Sequence, residues 1–297
     1  TLTLTPANAN AGVTVTVRAI DDNVVEGFEN LQIVTSATSS SQSKFNGLPV
    51  PDITVAVVDD DVGTVQFDPA SVSQTEANTT MSFTATLNKP VRSGVTLRVN
   101  TTAGTATAAD FTPIVNGTVS FPANSNASQT VNVTINNDLL DEDDESFTAT
   151  LSNLTATGIV FLTNSTATGT IEDDDPTPTL SMANPGQPEG NAGPSTITFV
   201  ANLSAISGRD VSFTRATADG TATVADNDYQ PLAPATLTIP AGQAGISIPV
   251  TINGDTAFEV NEDFSLNLTA ISNATPGSLT ASGTIINDDT EPTTLTI

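Results

Sequence analysis

Three stretches of this chain close in the same way, and the interval between them limits what the chain can fold into. Asp59-Asp60-Asp61, Asp173-Asp174-Asp175 and Asn287-Asp288-Asp289 recur, the last two after Gly169-Thr170-Ile171-Glu172 and Gly283-Thr284-Ile285-Ile286. The step from Asp61 to Asp175 and the step from Asp175 to Asp289 are both 114 positions. A repeated interval of ordinary domain size predicts tandem domains rather than one large core. Two further markers keep the same interval closely. The spacing Asp-x3-Glu-x2-Glu occurs at Asp22, Glu26 and Glu29, at Asp138, Glu142 and Glu145, and at Asp255, Glu259 and Glu262. Gly104-Thr105-Ala106-Thr107 leads to Asp110-Phe111, as Gly220-Thr221-Ala222-Thr223 leads to Asp228-Tyr229. The chain therefore divides into the C-terminal part of one repeat (1–61), two full repeats (62–175 and 176–289) and the first strand of another (290–297).

Within each repeat the pattern alternates apolar and polar residues, as in Phe83-Thr84-Ala85-Thr86-Leu87 and Phe147-Thr148-Ala149-Thr150-Leu151. Period-2 alternation rich in Val, Ile, Phe and Thr predicts half-buried strands, and Gly, Pro, Asn and Asp punctuate them. In the first full repeat the strands are expected near 63–68, 81–88, 95–101, 117–121, 130–136, 145–152 and 166–172. A run such as Val13-Thr14-Val15-Thr16-Val17 precedes each acidic loop. About seven short strands without helical periodicity predict an all-β chain of tandem immunoglobulin-like β-sandwich repeats. Asp61 runs straight into the next strand, and Asp175 is followed by Pro176-Thr177-Pro178, a stiff, extended link. The expected assembly is a rod-like array. Phe111 and Tyr229 match each other across repeats and are expected in the cores.

Charge narrows the function. The chain carries 33 acidic and 7 basic residues, a net charge of −26. Nucleic acid and anionic lipid both need clustered Lys and Arg, so neither is an expected partner. A chain this acidic either repels itself or holds cations. There is no Cys, His or Trp. Disulfides and zinc are thus set aside, as is a Ser or Thr nucleophile with a His base. Paired carboxylates could serve a glycosidase, but here they recur in turns at a fixed interval, so the chain does not read as an enzyme. No apolar run is long enough to span a bilayer. Neither end carries a signal peptide, and both open or close inside strand-like runs, as if cut from a longer chain.

Taken together, these markers resemble the Calx-β family, known from the cytosolic regulatory loop of sodium–calcium exchangers, from integrin β4 and from large bacterial surface proteins. The residues that carry the resemblance are Gly104-Thr105-Ala106-Thr107 with Asp110-Phe111, Gly117-Thr118-Val119-Ser120-Phe121, Asp138 with Glu142 and Glu145-Ser146-Phe147, and Gly169 to Asp175. The resemblance covers essentially the whole chain. It implies a seven-strand sandwich in which four segments converge at one end, with calcium ligands at Glu76, Asp110, Asp138, Glu142, Glu145, Asp173, Asp174 and Asp175. In the next repeat it implies Glu189, Asp228, Asp255, Glu259, Glu262, Asp288 and Asp289. In the partial repeat it implies Asp21, Asp22, Glu26, Glu29, Asp59, Asp60 and Asp61. Asn137 and Gly254 stand where the family often has a second Asp, and Asn287 replaces the first Asp of its closing run. The second full repeat is therefore expected to bind fewer ions or bind them more weakly.

Two carboxylates about 4 Å apart repel by roughly 4 kcal/mol at an effective dielectric of 20. A cluster of eight would hold more than one calcium ion or stay open and mobile. A plainer reading stands beside this one, because Asp in turns also accepts local backbone hydrogen bonds and keeps β-proteins soluble. The function expected is that of a structural repeat segment of a long secreted bacterial surface protein. Such a protein would be an adhesin, stalk or filament, the gliding-motility type included, with calcium rigidifying the array at repeat ends. Its partners would be neighbouring repeats, and surface glycans or other cell-surface proteins. Two other readings remain open: a calcium-dependent carbohydrate- or protein-binding module, and a calcium sensor.

Overall fold

The computed structural model describes residues 1–291. Its strands are β1 (Phe28–Ile33), β2 (Ile53–Val58), β3 (Val62–Phe67), β4 (Ser71–Thr75), β5 (Thr80–Leu87), β6 (Val95–Ala103), β7 (Gly117–Phe121), β8 (Gln129–Thr134), β9 (Glu145–Ala156), β10 (Ile159–Leu162) and β11 (Thr166–Glu172). They continue with β12 (Thr179–Met182), β13 (Gly186–Pro188), β14 (Gly193–Leu203), β15 (Val211–Ala218), β16 (Ala235–Ile239), β17 (Gly245–Gly254), β18 (Glu262–Ser272), β19 (Thr275–Pro276) and β20 (Thr280–Ile286). One turn of 3-10 helix at Ser43–Phe45 is the sole helical element among the described residues. No helix there is long and apolar enough to cross a membrane. The opening strand expected at 290–297 lies, from residue 292 onward, outside the described residues.

The two full repeats share one topology. A four-stranded sheet of order β10-β3-β5-β8 faces a five-stranded sheet of order β4-β11-β9-β6-β7. The second full repeat gives β17-β14-β12-β19 and β13-β20-β18-β15-β16, the same arrangement strand for strand. Antiparallel register places Met81 opposite Val133 and Phe83 opposite Val131, so alternate residues of both strands share the inner face. Met81, Phe83, Ala85 and Leu87 are accordingly buried, while the residues between them are not.

Nine strands stand where about seven were expected. The opening strand is divided, because β3 lies in one sheet and β4 in the other, with Pro69 between them; Pro185 divides β12 from β13 in the same way. Proline has no N–H to continue a ladder, so the chain leaves one sheet there and joins the other. The short β10 pairs in parallel with β3, Ile159 opposite Val62, and was not expected from the sequence. In the partial repeat only β1 and β2 pair, Phe28 opposite Val58. The run Val13–Val17 is not a strand and is exposed. Alternation encodes a face to bury, but without a paired neighbour the run has no ladder to join.

The chain forms two compact units. The first comprises Thr1–Gln74, Thr79–Ile135 and Ser146–Thr170; the second comprises Thr75–Asn78, Asn136–Glu145 and the residues from Ile171 onward. Glu76, the loop of Asp138 to Glu145 and the closing Asp173–Asp175 run thus belong to the unit that holds the second full repeat, and Asp110 belongs to the first unit.

Each core is built on aromatic rings. Phe111 stacks on Phe147 at 4.4 Å between centroids, and Phe83 meets Phe147 edge-on at 5.8 Å. Tyr229 stacks on Phe264 at 4.3 Å, and Phe199 meets Phe264 at 5.8 Å. These rings explain the glycine of the Gly-Thr-Ile motif. A Cβ at Gly169 would lie 2.6 Å from Met81 Sδ and 2.7 Å from Phe147 Cζ. A Cβ at Gly283 would lie 2.6 Å from Phe199 Cζ. Gly169→Ala is therefore expected to cost about 1–3 kcal/mol by overpacking, read as a lowered denaturation midpoint with an unchanged m-value.

Candidate metal centre

The carboxylates reach their positions through strand ends and a loop clasp. In the first full repeat, Glu76 follows β4, Asp138 lies in the β8–β9 loop and Asp175 follows β11. One oxygen from each of these three lies within 4.8 Å of the others. The Glu76 N–H donates to Glu172 O at 3.1 Å, which fixes that residue beside the closing acidic run. The Asp173 N–H donates to Asp144 Oδ1 at 3.2 Å. Asp138 Oδ1 accepts the Leu140 N–H at 2.8 Å, an Asx turn that holds the side chain in place. Glu142 and Glu145 are half-buried, and Asp174 is exposed.

Glu76 is only 7 % exposed. Burial pushes its carboxyl up to about 7, and the charges of Asp138, Asp175 and Asp173 push the same way. Asp173 is also raised, by burial first and then by Asp141 and Asp175. Buried Asp173 Oδ1 and Asp175 Oδ2 have no hydrogen-bond partner among the described residues.

The second full repeat repeats the arrangement. One oxygen each from Asp228, Glu259 and Glu262 lies within 4.8 Å of the others. Asp110, Glu142 and Glu145 are the matching positions one repeat earlier. Glu189 is pushed up to about 7 by burial and by Glu259, Asp255, Asp289 and Asp288. Glu259 and Glu262 are raised for the same reasons, burial first. Asp289 Oδ2 is buried without a hydrogen-bond partner among the described residues. Asp288 Oδ1 accepts the Gly190 N–H at 3.1 Å, and Asp255 Oδ1 accepts the Ala257 N–H at 2.7 Å. Asn287 accepts the Asp289 N–H at 3.3 Å, a neutral link where the other repeats have Asp.

The Gly-Thr-Ala-Thr motif is the clasp. Gly104 N–H and Ala106 N–H both donate to Ser146 O, and Thr105 Oγ1 accepts the Ser146 N–H at 2.8 Å. Thr107 N–H then donates to Asp110 Oδ2 at 2.6 Å. Thr221, Ala222 and Thr223 make the same bonds to Asp263 and Asp228. One oxygen of Asp110 and one of Asp228 therefore serve the loop, as the plainer reading expects.

The partial repeat differs. Asp21, Asp22, Glu26, Glu29, Asp59 and Asp60 line a cleft of about 350 Å³. Protein cations already face part of this set. Arg92 pairs with Glu26 at 3.2 Å and with Glu29, and Lys89 pairs with Asp61 at 2.5 Å. Burial works to raise Asp59, but the N–H donors of Glu26, Gly27 and Asp61 and the Lys89 charge hold it below the usual carboxylate range.

A sequence profile of the Calx-beta domain matches residues 2–61, 59–175 and 191–290. The chain belongs to the Calx-beta domain family. Similar solved structures include CBD12 from CALX1.2, at 18% identity over 75% of this chain and 99% of that one, with a TM-score of 0.36. The calcium binding domain CBD12 of CALX1.1 matches at 21% identity over 71% of this chain and 80% of that one, with a TM-score of 0.36. The apo-form Calx CBD1 domain matches at 26% identity over 38% of this chain and 98% of that one, with a TM-score of 0.35. No curated protein matches the chain. Calx-beta is a family of binding and regulatory domains rather than of catalysts.

The residues of these Calx-beta repeats fit a hard cation. Every side-chain donor in these carboxylate groups is oxygen, the preference of Ca²⁺, which takes 6–8 oxygen ligands. The orphaned oxygens of Asp173, Asp175 and Asp289 are what a cation would satisfy.

A pH dependence follows for calcium-free protein. The carboxyls of Glu76 and Glu189 are raised to about 7, so between the unfolded carboxylate pKa and 7 the native state binds more protons than the unfolded chain. Their contribution to stability is complete below the unfolded pKa and is lost as pH rises through 7. In chelator, the thermal midpoint should fall between pH 5 and pH 8; a midpoint that rises over this window would refute the buried placement of these two side chains.

Sequence reasoning overlooked Asp141, although it is only 2 % exposed. Arg209 Nη2 donates to its Oδ1 at 2.5 Å and Arg209 Nε to its Oδ2 at 3.1 Å. Thr177 Oγ1 and Ser207 Oγ complete its shell at 3.0 and 3.2 Å. Burial would raise this carboxyl, but Arg209 and these hydroxyls hold it below its ordinary value. The available signal was Arg209 itself, one of only 7 basic residues in the chain.

Proposed function

We propose that this chain is a structural segment of a long secreted bacterial surface protein of the adhesin, stalk or filament kind. In this reading, divalent calcium binds the carboxylate clusters at the repeat ends and stiffens a rod of Calx-beta domains, with boundaries near 61, 175 and 289. The observation that carries the reading is the trio of buried carboxylate oxygens on Asp173, Asp175 and Asp289 that lack hydrogen-bond partners among the described residues. They sit among side chains whose protonation is driven up by burial and then by one another's charge. Without cations, that crowding opposes closure of the loops. With cations, the same crowding becomes coordination.

Glu76, Asp138 and Asp175 with Asp173 form the first ligand set in this reading, and Glu189, Asp228, Glu259, Glu262 and Asp289 the second. Arg92 and Lys89 take over part of the cation's role in the cleft of Asp21, Asp22, Glu26 and Glu29. A cell-surface location accords with the family's occurrence in bacterial surface proteins and with a Thr- and Asn-rich, cysteine-free composition. The expected partners are neighbouring repeats, with glycans or other surface proteins as the adhesion target. Small-angle scattering tests the mechanical half of the proposal. Calcium should lengthen and narrow the distribution of particle dimensions relative to chelator, and identical profiles in the two buffers would remove the stiffening role.

A further inference from the structure

The two acidic loops that carry Glu26 and Glu142 each bury one residue that no metal site needs. Val25 and Asp141 hold the same place in the Asp-x3-Glu-x2-Glu spacing, directly before the first Glu. Both make the same backbone contact. Val25 forms a parallel bridge with Val91, and Asp141 forms one with Ser207. Val91 lies in the β5–β6 turn of the first full repeat, and Ser207 in the matching β14–β15 turn of the second. The Val25 N–H donates to Pro90 O at 2.9 Å, and the Arg92 N–H donates to Val25 O at 3.0 Å. The Gly208 N–H donates to Asp141 O at 3.1 Å. One backbone geometry thus joins the end of each repeat to the same turn of its successor.

The side chains in that shared frame are chemically opposite. Val25 and Val91 are fully buried and apolar, and a Cβ on Gly158 would lie 2.7 Å from Val25 Cγ1, so the seat has no spare volume. Asp141 is buried against Ser207 and held by a two-point pair with Arg209.

We propose that this position is a matched docking contact between consecutive repeats: the residue before the first Glu reads the β5–β6 or β14–β15 turn of the next repeat, and the two must agree in chemistry for that turn to dock. Asp at the Val25 seat would be a buried charge whose nearest cation, Arg92, is already taken by Glu26 and Glu29, and Val at the Asp141 seat would leave the Arg209 guanidinium with only the exposed Asp143, at 3.2 Å. Either mismatch loses more than the matched pair gains, because an unpaired buried charge keeps its full desolvation cost. The basic residues follow this logic. Lys89, Arg92 and Arg209, three of the chain's 7, lie in these two turns and face carboxylates of the preceding repeat. This contact stands whether or not calcium binds, so it does not depend on the proposed function.

Amide hydrogen exchange of the full chain in chelator tests the inference. Val25→Asp should raise exchange at the Arg92 amide by at least about tenfold while leaving Gly208 unchanged, and Asp141→Val should do the reverse. Phe258→Asp is the control, because Phe258 is the matching residue of the second full repeat and is 45 % exposed; it should alter neither amide. The triple exchange Asp141→Val, Ser207→Val and Arg209→Ser transplants the apolar pair and should restore protection at Gly208. Core amides of β5 and β14 report whether each variant is folded. The inference is overturned if Asp141→Val leaves Gly208 protected, if the triple variant fails to restore protection in a folded chain, or if Phe258→Asp is as disruptive as Val25→Asp. Calcium added afterwards reports separately on the metal reading.

Discussion

Saturating calcium should raise the thermal midpoint of chelator-stripped protein by roughly 10 °C, because a ligand at a hundred times its Kd adds about 2.7 kcal/mol and each kcal/mol moves a domain of this size by about 4 °C. Glu76→Gln should cross that result. Burial, and then the charges of Asp138, Asp175 and Asp173, drive the Glu76 carboxyl up to about 7. In chelator near pH 8, removing its charge relieves repulsion, so the variant should melt at or above the parent. In calcium, the same change removes a ligand, so the variant should melt below the parent. Adding Asp175→Asn should deepen the calcium defect without removing the response of the Glu189, Asp228, Glu259 and Glu262 group. A calcium-independent midpoint in the parent would end the metal assignment. A variant that is weaker in both buffers would mean that Glu76 acts through packing alone.

Phe264→Ala should cost about 3–5 kcal/mol, the range for deleting a buried aromatic ring. Phe264 lies between Tyr229, stacked at 4.3 Å, and Phe199, edge-on at 5.8 Å. Small neighbours cannot refill that space, because β14 and β18 are held in register along most of their length. Asp228 directly precedes Tyr229, and Glu262 lies two residues before Phe264. Loosening the ring stack therefore reaches the carboxylate group as well. Calorimetry should show the second unit melting more than about 10 °C early, while the first unit, centred on the Phe83 and Phe147 pair, stays near its original midpoint. Titration calorimetry on the folded variant should show weakened calcium binding. A single unsplit transition shifted by only a degree or two would refute the central place of this ring.

Local pattern decided much of this protein. The alternation in Met81–Leu87 and Phe147–Leu151 prescribed which face would be buried, because side chains in a strand point alternately to its two faces. The repeated Phe111 and Tyr229 marked matching core positions, and both are buried. Carboxylates at recurring spacing were legible as candidates, and Glu76, Asp138 and Asp175 do converge. Tertiary structure decided what local pattern could not express. The Val13–Val17 run alternates as cleanly as any strand, yet it pairs with nothing, since a ladder requires a second strand. The strand expected near 63–68 is present as β3, but nothing in the pattern announced that the chain would resume beyond Pro69 as β4 in the other sheet. Asp141 and Val25 occupy one place in the spacing, and nothing adjacent in sequence distinguishes a buried ion pair from a buried apolar contact. That distinction rests with Arg209 and Val91, each about 66 residues further on in the chain. A charge can be buried only where a distant segment supplies its counter-charge, so the fate of each carboxylate was settled by folding and not by its neighbours in the sequence.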